Sequence, residues 1–112
     1  SLTLSVLSSL GYDGSPMTEA MYYVLLALLH PNHGYQLMNE IEEVSKGRVK
    51  MGPGTLYGVL ARLQKDNLII VLNDDGRRKT YSITTDGISA LKKEYERLND
   101  MVDDGAIIKE GS

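Results

Sequence analysis

A chain of 112 residues with 12 Lys and Arg, 15 Asp and Glu, no cysteine and a net charge of −3 is one domain's worth of sequence, able to bury roughly 65% of its unfolded surface. Without cysteine it has no disulfide framework, no thiolate metal site and no cysteine nucleophile, and a cytoplasmic setting is the simpler expectation. The most apolar stretch, Ala20 to Leu29, is ten residues long where a membrane helix needs about 20, so it reads as a core helix of a soluble chain with no membrane partner.

Residues 1–16, "SLTLSVLSSLGYDGSP", have no basic start and their apolar residues are interrupted by serine, which makes a poor signal peptide. They are expected to be an N-terminal extension that packs on a dimer or stems in part from cloning. Thr18 and Glu19 suit the cap and first turn of a helix running to about His30, where Pro31 and Asn32 break the pattern. That helix is apolar on every side and needs cover from more than one neighbour.

After Gly34, the spacing of Leu37, Met38, Ile41 and Val44 predicts a second helix to about Ser45, ended by Lys46 and Gly47. A third helix, from about Pro53 to Asp66, places Leu56, Val59, Leu60 and Leu63 on one face, with Pro53 suited to the first helical position. Leu68 to Leu72, the turn signal Asp75-Gly76 and the alternation from Thr80 to Thr84, with Tyr81 and Ile83 on one side, then predict a β-hairpin. From about Thr85 to Asp103, Ile88, Leu91, Tyr95, Leu98 and Val102 step like the a and d positions of a coiled coil, with Lys92–Glu96 and Glu94–Arg97 as surface pairs. Part of that stripe is left to seek another surface, and residues 105–112 read as a fraying tail.

Three helices and a hairpin in this order are the layout of a winged helix-turn-helix, with the third helix in the major groove and the wing beside it. The expected class is mainly α with a small β-hairpin, with residues 17–84 as the DNA-binding unit and 85–104 as an added helix. Charge agrees: Lys46, Arg48, Lys50, Arg62 and Lys65 occur with no acid between Lys46 and Lys65, and Arg77, Arg78 and Lys79 follow on the hairpin. At about 100° per residue, Gly54, Gly58, Ala61 and Lys65 fall opposite the apolar face of the third helix, flanked by Thr55, Tyr57 and Arg62. Two glycines on such a face cost roughly 1 kcal/mol each relative to alanine, a cost that close approach of a DNA groove offsets. The candidate contacts to duplex DNA are Lys50, Gly54, Thr55, Tyr57, Gly58, Arg62, Lys65, Arg77, Arg78 and Lys79.

"HGYQLMNEIEE", "GPGTLYGVLARLQKDNLI", "DGRRKTYSIT" and "TTDGISALKKEYERL" together resemble the PadR family of bacterial transcriptional regulators, particularly its short form with one C-terminal helix. The resemblance covers about Met17 to Asp104. It implies a winged-helix repressor, homodimeric through the C-terminal helix and bound to a palindromic operator, with Tyr57 on the recognition helix and Arg77, Arg78 and Lys79 beside the DNA. Met21, Val24 and Leu25, with Ile88, Leu91, Tyr95, Leu98 and Val102, are the expected dimer interface. Some relatives release DNA on binding small aromatic compounds near that interface; no ligand site carries over residue by residue, and Tyr22, Tyr23 and Tyr95 are read by default as core or interface packing, with an aromatic pocket as the alternative.

Other chemistry finds less support. A P-loop needs Gly-x4-Gly-Lys-[Ser/Thr], which is absent. His30 and His33 lack a third ligand and read as turn residues, so no metal or cofactor is expected. Glu40, Glu42, Glu43, Asp74 and Asp75 read as solvated acids. An enzyme is therefore not expected, and a winged-helix protein-interaction module without DNA binding is the competing function.

Overall fold

A computed structural model describes residues 16–111; the expectations for residues 1–15 and for the last residue of the tail lie outside the described residues. Helix α1, Glu19–Ala27, starts where Thr18 accepts a hydrogen bond from the Met21 N–H at 3.1 Å and Glu19 faces the positive end of the helix dipole. It stops at Ala27, short of His30, and Leu28 folds its N–H back onto Val24 and Leu25. Pro31 disfavours helical geometry at His30, so the last turn unwinds early. Val24, Leu25 and Leu28 have no exposed surface, as the all-round apolar pattern requires.

Strand β1, Asn32–His33, was expected as turn. It pairs antiparallel with β3, Lys79–Ile83, through Asn32 to Tyr81 and His33 to Thr80. The hairpin is therefore the larger part of a three-stranded sheet of order β1-β3-β2, with β2 spanning Ile69–Asp74. Two residues are too few to carry a period, and their partner lies far along the chain. The β2–β3 ladder breaks register between Val71 and Asn73, a bulge that turns the exposed Leu72 out of the pairing.

Helix α2, Gly34–Val44, buries Leu37 and Ile41 against α1 and α3. Val44, expected inside, is 54% exposed, and Ser45 is buried in its place at 1%. The Ser45 hydroxyl accepts from the Val49 N–H at 3.0 Å and donates to the Glu42 carbonyl at 3.3 Å, stitching the turn that leads to α3. Lys46 and Gly47, at φ 57° and 80°, end the helix in left-handed geometry, with the Gly47 N–H on the Glu42 carbonyl.

Helix α3, Pro53–Lys65, has Gly52 at its N-cap, Pro53 in its first turn and Leu56, Leu60 and Leu63 in the core. Helix α4, Thr85–Asp104, is capped by Thr84, whose hydroxyl accepts from the Gly87 N–H at 3.0 Å and donates to the Asn67 carbonyl at 2.8 Å. Gly87 is required by space: a Cβ there would lie 2.1 Å from the Leu68 carbonyl oxygen and 2.6 Å from Ile83 Cγ1. The cap and this close approach fasten α4 to the base of the wing.

Glu94 corrects the expected surface pair. It is 6% exposed, and its carboxylate accepts two hydrogen bonds from the Arg97 guanidinium. That pairing holds its pKa below the usual carboxylate range against the opposing effect of burial, with the Met17 N–H assisting. Residues 107–111, expected to fray, form the short helix α5, Ile107–Gly111. Among the described residues, no helix is long and apolar enough to cross a membrane.

Candidate nucleic-acid interface

The outward face of α3 is built from what its residues lack. Gly54, Thr55, Gly58 and Ala61 are exposed, and a Cβ on Gly54 or Gly58 would meet nothing within 4 Å. Lys65 lies on the same exposed stripe, and Lys50 is exposed just before the helix. Arg62 is exposed but tethered, its Nε 3.0 Å from Asp66 Oδ2, so the acid-free stretch ends one residue beyond Lys65 in an ion pair. Arg48, counted with the basic cluster, turns to α1: its guanidinium lies 5.9 Å from the Tyr23 ring centre and donates to the Tyr23 hydroxyl. Its Nε donates to the Ser45 carbonyl at 3.2 Å, so this cation braces the turn before α3.

The wing tip organises its own acids. Gly76, at φ 88°, occupies the left-handed region that a tight turn demands. Asp74 Oδ1 accepts from the Gly76 N–H at 3.0 Å, and Asp75 Oδ1 accepts from the Arg77 and Arg78 N–H groups at 3.1 and 2.8 Å. The backbone donors of Arg77, then Arg78, hold the Asp75 carboxyl below its ordinary pKa. Both acids are exposed, as expected, but they work as turn caps, leaving the side chains of Arg77, Arg78 and Lys79 in solvent.

Between the wing and the β1–α2 junction, with Tyr57 contributed by α3, lies an open cleft of about 520 Å³, lined by His33, Gly34, Tyr35, Tyr57, Tyr81 and the wing residues Asp74 and Gly76 to Lys79. Tyr57 is 51% exposed, with its hydroxyl end turned back toward Gly34. Tyr81 is buried beneath, and burial, then the nearby Tyr57, raises its phenol pKa. Sequence reasoning missed His33, Gly34, Tyr35 and Tyr81 as part of this surface. The quoted "HGY" motif was the available signal, but its meeting with the wing is a consequence of β1.

The expected partner-facing residues divide. Val24, Leu25 and Leu91 are already buried within one chain and serve its core, so they have no surface to offer a second copy. Met21 and Leu98 are partly covered, whereas Ile88, Tyr95 and Val102 stay exposed on α4, joined by the unanticipated Met101, Ile107 and Ile108. Tyr22 and Tyr23 meet edge to face at 6.1 Å, and burial, then Tyr95 and Glu94, raises the Tyr22 pKa. Neither these two nor Tyr95 lines the cleft, which lies on the α3 and wing side.

A three-helix unit with a basic two-stranded wing and a long following helix defines a winged helix-turn-helix protein. The profile of the transcriptional regulator PadR-like family matches residues 24–93, and the chain belongs to that family, whose members are transcriptional regulators and not enzymes. It is 39% identical over 98 residues to an uncharacterized 37.1 kDa protein in transposon TN4556 of Streptomyces fradiae, covering 84% of this chain and 28% of that one. It is 31% identical over 67 residues to the transcriptional regulator YqjI of Escherichia coli (strain K12), covering 60% of this chain and 32% of YqjI. The chain thus spans at most a third of the length of either relative. The crystal structure of a PadR family transcriptional regulator from Eggerthella lenta DSM 2243 has the same fold, with a TM-score of 0.66 at 22% identity over 96% of this chain and 87% of that one.

Proposed function

We propose that this chain reads duplex DNA with α3 laid in the major groove and the β2–β3 wing against the neighbouring backbone, as a homodimeric repressor on a palindromic operator. The observation that carries the reading is the outward stripe of α3, where Gly54, Gly58 and Ala61 lie exposed with open space beside both glycines. Around it stand the exposed Lys50, Arg62, Lys65, Arg77, Arg78 and Lys79, with Thr55 and Tyr57 at its borders. The free N–H groups at the start of α3 and its helix dipole suit a backbone phosphate.

Residues 17–84 form the DNA-reading unit in this proposal, and residues 85–104 the dimerisation helix. At 20 residues, α4 is about 30 Å long, and its exposed Ile88, Tyr95 and Val102 suit a matching stripe on a second copy. Two α3 helices then meet half-sites about 34 Å apart. Release by a small aromatic compound is proposed for the neighbourhood of Tyr22 and Tyr95; a thermal-shift screen of aromatic acids at about 100 μM tests it, and no shift with any compound removes it. A cytoplasmic location goes with this role. A protein-docking module would call for an apolar outward face on α3, which glycine, threonine and alanine do not supply.

The test is a mobility shift on duplexes taken from the DNA flanking the chain's own gene, repeated across a salt series. With about eight phosphates neutralised per dimer, log affinity falls with log salt at a slope of about −7. No binding at low salt, or a DNA-independent complex with one stoichiometric protein partner, overturns the reading.

A further inference from the structure

Gly34 opens α2 with a φ outside the left-handed region, so backbone conformation does not call for glycine there. Alanine is the better helix former. What excludes a side chain is Tyr57: a Cβ on Gly34 would lie 2.5 Å from the Tyr57 hydroxyl oxygen, 2.9 Å from Cζ and 3.2 Å from Cε1. Gly34 is buried, while Tyr57 remains 51% exposed, so the ring tip rests on α2 and the rest of the side chain faces solvent.

We propose that Gly34 is a positioning residue for DNA reading. Its missing side chain is the socket for the Tyr57 phenol, and the contact sets how the outward face of α3 sits against α2 and the wing. The assignment rests on the DNA-binding reading above. The group a methyl at position 34 would strike is the tip of a side chain and not backbone, so the chain yields by swinging Tyr57 outward while the core stays packed. On α3, Tyr57 borders the stripe of Gly54, Gly58 and Ala61, so a displaced ring stands beside the surface a groove must approach closely. Loss of reading without loss of folding is the expected signature.

The experiment uses the full chain and the variants Gly34→Ala, Tyr57→Leu and their combination. In the wild type, ring protons of Tyr57 should show nuclear Overhauser contacts to the Gly34 α-protons. Gly34→Ala leaves the melting temperature within about 3 °C but lowers affinity for the flanking duplex about tenfold, and affinity for sheared genomic duplex much less, because base contacts depend on helix placement more than phosphate contacts do. In the Tyr57→Leu background, which lacks the hydroxyl oxygen, Cζ and Cε1 that a Cβ at position 34 would meet, the same Gly34→Ala change costs about threefold or less. Absence of the Overhauser contact, unaltered DNA affinity, an equal penalty in both backgrounds, or unfolding of Gly34→Ala each overturns the proposal. If the wild type itself binds no duplex, the DNA reading falls and this role with it, an outcome recognised by failure of the parent as well as the variant.

Discussion

The α3–wing face and the α4 face belong to one small chain and are built by opposite means. From Lys46 to Lys65 there are five cations and no acid, whereas Thr85 to Asp104 holds six acids (Asp86, Glu94, Glu96, Asp100, Asp103 and Asp104) beside three cations. The outward stripe of α3 keeps its side chains small, and α4 leaves Ile88, Tyr95 and Val102 standing in solvent. Positive charge and a low profile favour the approach of a polyanion, whereas projecting hydrophobic side chains favour burial against another apolar surface. The net charge of −3 averages the two and describes neither.

The largest expected effect comes from breaking the join between the two regions. Gly87→Ala drives a methyl into the Leu68 carbonyl, which is backbone and cannot step aside, and should cost about 3 kcal/mol, seen as a fall of more than about 10 °C in melting temperature. Next, Arg77→Ala with Arg78→Ala should weaken binding to the flanking duplex about 100-fold, or about 2.7 kcal/mol, with an unchanged sedimentation profile of the free protein. An equal loss of self-association would contradict the division of labour. Tyr95→Glu places a charge on the exposed stripe of α4 and should raise the dimer dissociation constant about tenfold in analytical ultracentrifugation, leaving amide exchange in the wing unaltered.

The smallest effect separates the wing tip from its own acids. The Asp75 carboxyl is held below its ordinary value near 3.8 by the Arg77 and Arg78 N–H groups. Because the folded value is the lower one, the ionised carboxylate supports the turn above the unfolded value, and the support disappears as pH falls through the depressed value. Amide exchange of Arg77 and Arg78 should therefore quicken below about pH 4 once intrinsic rates are divided out, and Asp75→Asn should quicken it at neutral pH as well. Equal protection in Asp75→Asn would show that the turn holds without its cap.

Much of this architecture was legible in the sequence because it is local. Leu56, Leu60 and Leu63 repeat at helical spacing and are buried; Asp75-Gly76 marks the turn that exists; the apolar spacing that starts near Thr85 is a helix from Thr85. The exposure of Gly54, Gly58 and Lys65 also follows from angle alone, since residues opposite a buried stripe face out. The same angular rule failed for Val44 at the end of α2, where an inward angle meets no covering element among the described residues.

Charge and periodicity along the chain were enough for the four longer helices, the hairpin and its basic tip, because each depends on neighbours within a turn or a hairpin. Only folding in three dimensions decided that Asn32 and His33 form a strand with β3, that Arg48 braces Tyr23, and that Glu94 is buried on Arg97. The same holds for Gly34, which lacks a side chain under Tyr57, and Gly87, which lacks one under the Leu68 carbonyl. Most of these pair residues tens of positions apart, and the burial of Glu94 depends on what packs over α4. The physical reason is the range of the forces: hydrogen bonds and close packing act over a few ångströms of space, and separation along the chain carries no record of which distant groups will share those ångströms.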